Sequence, residues 1–144
     1  MSKNENFSLL NKESSKKIET LFDRVFEDQG ECFSLKIKNI KSKNFISLDI
    51  FFEEGNKGLI SVYTDNAHLQ LQSCDGFILS NMLEEVIFIS ESDDKISGLI
   101  ISKQGDCSLY SNVKKELLNK DFMELSSEKL LAAVALSVVE STKD

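Results

Sequence analysis

The sequence predicts an α+β fold with an N-terminal helix, an antiparallel β-meander of about six or seven strands, and C-terminal helices packed on the sheet. Three observations carry that expectation. Apolar residues recur at helical spacing from about Ser14 to Gln29, the period drops to two from Cys32 onward, and helical spacing returns beyond Asn112. The 144 residues suit one domain, read as a flexible N-terminus over 1–12 and a single α+β domain over 13–144.

In "ESSKKIETLFDRVFEDQG", Ile18, Leu21, Phe22, Val25 and Phe26 share one helix face. Ser14 or Ser15 is the expected cap, and Gly30 the expected left-handed exit. "CFSLKIKN" then alternates Phe33, Leu35 and Ile37 against Ser34, Lys36 and Lys38, the pattern of a strand with one wet face. "FISLDIFFEE" turns Ile46, Leu48, Ile50 and Phe52 to one side, and Phe45 and Phe51 to the other among Ser47 and Asp49. Both faces of that strand are therefore expected to be partly covered.

The loop "EGNKG" leads into a third strand, "LISVYT". In "HLQLQ", Leu69 and Leu71 face in while His68, Gln70 and Gln72 face out. Residues 74–85 fit either a strand or a short helix crossing the sheet. "EEVIFIS", "KISGLIISK" and "DCSLYS" continue the meander. Val113, Leu117 and Leu118 have short helical spacing, and Ser126 or Ser127 would cap a last helix. On that helix Leu130, Leu131, Val134 and Val138 form one apolar sector, with Leu136 and Val139 opposite. A short helix apolar nearly all round wants protein on two sides, so its second face is either core or an interface.

Composition excludes several functions. Net charge is −7 and the only Arg is Arg24, so the chain neither gathers phosphate backbones nor offers many planar forks to bind them, and no nucleic-acid partner is expected. No apolar run approaches the ~20 residues of a membrane span. Cys32, Cys74 and Cys107 are odd in number and widely spaced, and no apolar signal segment follows Met1. The expected setting is a reducing cytoplasm.

The chemical inventory is thin. His68, the only histidine, precedes Cys74 and Asp75, and a thiolate enzyme built on Cys74 and His68 is one reading, against a solvated histidine and a buried thiol. The three cysteines with His68 lack zinc-site spacing, so no metal is expected. The six glycines form no phosphate cradle, so no cofactor is expected either. The acidic doublets at 53–54, 84–85 and 93–94 read as solvated element ends.

With no convergent polar constellation, the leading expectation is a non-enzymatic protein-binding module, a small acidic adaptor or chaperone-like protein that binds a protein partner or forms a homodimer. By layout, not by motif, the predicted helix, sheet and helices look like the general plan of bacterial secretion-chaperone-like adaptor domains. That resemblance implies dimers presenting apolar patches, with Phe45, Phe51, Leu136 and Val139 as the contact residues. The alternatives are a β-cup for a small apolar ligand, closed by the last helix, and the thiol enzyme. Phe45 and Phe51 distinguish the first two, pointing into a cavity for the cup and outward for the adaptor.

Overall fold

The computed structural model describes residues 7–64, 67–92 and 95–114. Ten strands and one helix follow in the order β1 (Phe7–Leu9), α1 (Lys12–Phe22), β2 (Glu27–Asp28), β3 (Cys32–Lys38), β4 (Phe45–Glu53), β5 (Lys57–Tyr63), β6 (His68–Cys74), β7 (Gly76–Ser80), β8 (Glu85–Ser92), β9 (Lys95–Ser102) and β10 (Cys107–Lys114). They form two antiparallel five-stranded sheets, β1-β7-β8-β9-β10 (sheet A) and β2-β3-β4-β5-β6 (sheet B).

This overturns the predicted class. Among the described residues the protein is mostly β with one short helix, its strands divided between two antiparallel sheets where an α+β fold with C-terminal helices packed on one meander was expected. Each sheet buries a face against the other, so the second sheet supplies the cover that the sequence assigned to helices. Residues 74–85, left open between helix and strand, contain β7 and the turn after it. Val113 and Lys114, expected to begin a helix, belong to β10, and the last helix, with Leu136 and Val139, lies outside the described residues. The layout behind the secretion-chaperone resemblance is therefore absent from the described fold. No helix among the described residues is long and apolar enough to cross a membrane.

The helix is shorter than its periodicity implies. Its N-cap is Asn11, not Ser14 or Ser15: the Asn11 side chain accepts from the Ser14 N–H (2.8 Å), and the Ser14 hydroxyl accepts from the Asn11 N–H (3.2 Å). Asp23 then takes a left-handed conformation (φ 56°) and ends the helix. The Glu19 carboxylate accepts from the Phe26 N–H (2.7 Å), which holds an extended segment with Phe26 buried and Val25 79% exposed. Gly30 (φ 95°) falls in the β2–β3 turn instead of closing the helix.

The shared core joins both sheets and α1. Leu35, Leu48 and Val62 are cross-strand neighbours in sheet B, and Phe77, Phe88 and Leu99 in sheet A. All six belong to one buried cluster with Ile18 and Phe22 of α1. Sheet A is apolar on its other face too, where Ile78, Ile87, Ile89 and Ile96 are each at most 2% exposed. On that face the Tyr110 ring lies over Gly98, its cross-strand partner, where a Cβ would collide with it.

The chain passes from sheet B to sheet A across Asp75. Its N–H donates to the Ile89 carbonyl (2.8 Å), its carboxylate accepts from the Glu91 N–H (2.9 Å) and pairs with Lys57, and its carbonyl accepts from the Leu10 N–H (3.2 Å). One residue thus ties strands of both sheets at the corner. At the opposite end the loops are tied together. The Ile40 N–H donates to the Gln104 carbonyl (3.0 Å), and the Lys103 N–H to that of Glu84 (2.9 Å).

Candidate functional site

The outward face of sheet B is the one sheet face among the described residues that the alternating pattern leaves open. Its side chains come from the polar positions of strands whose apolar positions fill the core. Along β4 the outward row runs Phe45, Ser47, Asp49, Phe51, and cross-strand pairing sets a neighbour beside each. Ser34, Asp49, Ser61 and Gln70 make one row across the sheet, and Lys36, Ser47, Tyr63 and His68 the next.

The centre of this face is a hydrogen-bonded polar network. The Asp49 carboxylate accepts from the hydroxyls of Ser34 (2.7 Å) and Ser47 (3.0 Å), and Lys36 Nζ donates to Ser47 Oγ (3.0 Å). Ser61 Oγ and His68 Nε2 lie 2.7 Å apart, and the imidazole stacks on the Tyr63 ring at 3.9 Å between centroids.

A serine hydroxyl against an imidazole is the first half of a nucleophilic constellation, but the geometry does not complete it. Ser61 is only 2% exposed, so substrate has no access to its oxygen. Asp49 is hydrogen-bonded to Ser34 and Ser47, where a catalytic carboxylate would orient the imidazole. The pair instead holds His68 flat against Tyr63.

Aromatic rings occupy both ends of the face. Phe45 is 51% and Phe51 39% exposed, about 20 Å apart along β4 at ~3.3 Å per residue, and both point away from the core. The Arg24 guanidinium lies 5.3 Å from the Phe45 centroid. Cys32 and Leu59 flank Phe51 on the neighbouring strands. Of the four predicted contact residues, Phe45 and Phe51 thus share one face, while Leu136 and Val139 lie outside the described residues.

The cysteine candidates do not converge. His68 and Cys74 are the first and last residues of β6, the imidazole exposed and the thiol fully buried in the core. Burial pushes the Cys74 thiol up to about 12 and that of Cys107 to about 11. Cys32 is raised as well, by burial and then by the Asp49 charge. All three are free, and among the described residues no three His, Cys, Asp or Glu side chains gather into a metal site.

Sequence reasoning missed Ser34, Asp49, Ser61 and Tyr63 as one group. Each stood at a polar or outward strand position, but only the register makes them neighbours. In comparisons with known proteins, no family model, no curated protein and no solved structure matches this chain.

Proposed function

We propose that the protein is a non-enzymatic protein-binding module, adaptor-like or chaperone-like, that docks a polypeptide on the outer face of sheet B. The observation that carries this reading is the pair Phe45 and Phe51, half-exposed at the two ends of one outward strand row around a polar centre. Exposed aromatic anchors around hydrogen-bonding groups are what protein interfaces select, and their outward direction favours docking over a ligand cup. Raised thiol pKa values are the opposite of nucleophile activation and add support for a non-enzymatic role. Three free cysteines suit a reducing, cytoplasmic setting.

The test is photo-crosslinking in cells from unnatural side chains placed singly at positions 45, 51 and 16. Position 16 is an exposed control on α1. Polypeptide adducts at 45 and 51 but not at 16 are expected. Absence of adducts at 45 and 51, or equal capture at 16, would remove the reading.

A further inference from the structure

We infer that the polypeptide taken by this face is a second copy of the same chain, docked face to face about a twofold axis. This rests on the reading of the outer face of sheet B as a docking surface, and adds the identity of the partner.

The argument begins with charge. In a chain of net charge −7, residues 32–48 carry Lys36, Lys38, Lys41 and Lys43 and no acid. Three of these four surround the loop that leads into Phe45, and Arg24 lies against the Phe45 ring. The other end of the face is acidic, with Glu53 and Glu54 following Phe51, and Glu31 preceding β3. Lys57, the cation opposite Glu53, is already paired with Asp75. Glu27, opposite Ser34, lies on the central row between the two ends.

A surface that is basic at one end, acidic at the other and aromatic at both is complementary to itself after a half turn. Phe45 and Phe51 lie three residues either side of Leu48. A twofold axis parallel to the sheet and perpendicular to β4 at Leu48 therefore brings Phe45 over the partner's Phe51, and the lysine loop over the partner's Glu53 and Glu54. Such an isologous contact uses one patch twice, and every favourable pairing occurs twice. A generic acidic client would satisfy the lysine end alone and leave Glu53 and Glu54 facing like charge.

Size decides the strength. Five strands at ~4.8 Å spacing and about 20 Å of length present roughly 500 Å² per protomer, or about 1,000 Å² in the pair, near the lower bound for a specific interface. The dimer is therefore weak, concentration-dependent and sensitive to salt.

The experiment is light scattering of the full chain over a concentration series at low and moderate salt, with two charge-reversed variants, Lys38→Glu/Lys41→Glu and Glu53→Lys/Glu54→Lys. All four positions are exposed. The parent chain should approach twice its monomer mass and lose association as salt rises. Each variant alone should dissociate about tenfold more readily or worse, and their equimolar mixture should restore the dimer, because each reversed end then meets an end of opposite charge. Unchanged circular dichroism and thermal midpoints separate lost association from lost folding. A parent chain that stays monomeric, a dimer indifferent to both reversals, or a mixture that fails to reassociate would overturn the inference. Adducts to a different protein from positions 45 and 51, with a monomeric parent, would leave the docking reading standing and remove this inference alone.

Discussion

Sheets A and B have the same strand number and the same antiparallel pairing, yet they use their second faces differently. In sheet B the strands alternate, so Leu35, Leu48 and Val62 enter the core while Lys36, Asp49 and Tyr63 stand outward. Sheet A carries near-continuous apolar runs, and Ile78, Ile87, Ile89 and Ile96 are buried although they face away from the shared core. A sheet buried on both faces has no surface left for recognition. The comparison teaches that, among the described residues, it is sheet B that keeps an outward row of aromatic and charged groups open, and the proposed docking is placed there for that reason.

The largest expected break comes from outward positions of sheet A. Ile87→Ser removes a fully buried side chain and leaves a hydroxyl in an apolar site, and should cost about 4 kcal/mol or more in urea unfolding. A loss under about 1 kcal/mol would show that this face is not part of the folded interior.

Next in size is an alkaline effect from the interior that the sheets share. Cys74 holds its proton up to about 12 when folded, against about 8.5 in an unfolded chain. Below that unfolded value both states keep the proton and the group adds no pH dependence. Between the two values the unfolded chain loses a proton that the folded protein retains, so stability falls as pH rises, by up to about 1.4 kcal/mol per pH unit. Cys107 contributes with the same sign. Cys74→Ala should flatten, without abolishing, the decline between about pH 8.5 and 11; parallel curves for the two proteins would contradict the assignment.

The smallest stability effect sharpens the contrast. Phe51→Ser changes a half-exposed ring on sheet B and should alter unfolding free energy by about 1 kcal/mol or less, while weakening association. If it destabilised as much as Ile87→Ser, the two second faces would be equivalent and the docking reading would lose its basis.

Legibility in the sequence followed the range of the interaction. The β3 and β4 alternation was readable, and with it that Phe45 and Phe51 share the side opposite Ile46, Leu48 and Ile50, because a period of two is a local property of a pleated strand; that this side points outward was not. The end of α1 was not, because an αL residue at Asp23 and the bond from the Phe26 N–H to Glu19 override a continuing helical period. β1 was missed because three residues form a strand only where the edge of β7 offers its hydrogen bonds. The Ser61–His68 contact was missed for a related reason. It depends on the β5–β6 register, which pairs Tyr63 with His68 and brings Ser61 within reach of the imidazole.

By itself the sequence determined the acidic charge with its lysine-rich 36–43 window, a helical apolar face through Ile18 and Phe22, and which residues of β3 and β4 share a side. These depend on residues close in the chain, whose side-chain directions are set by their own backbone. Only the tertiary structure decided that the strands divide into two sheets at Asp75, that sheet A is buried on both faces, and that Ser34, Asp49, Ser61 and His68 lie on one surface. Sheet pairing is selected by packing across ~10 Å between segments remote in sequence, and no local period records which face will find a partner.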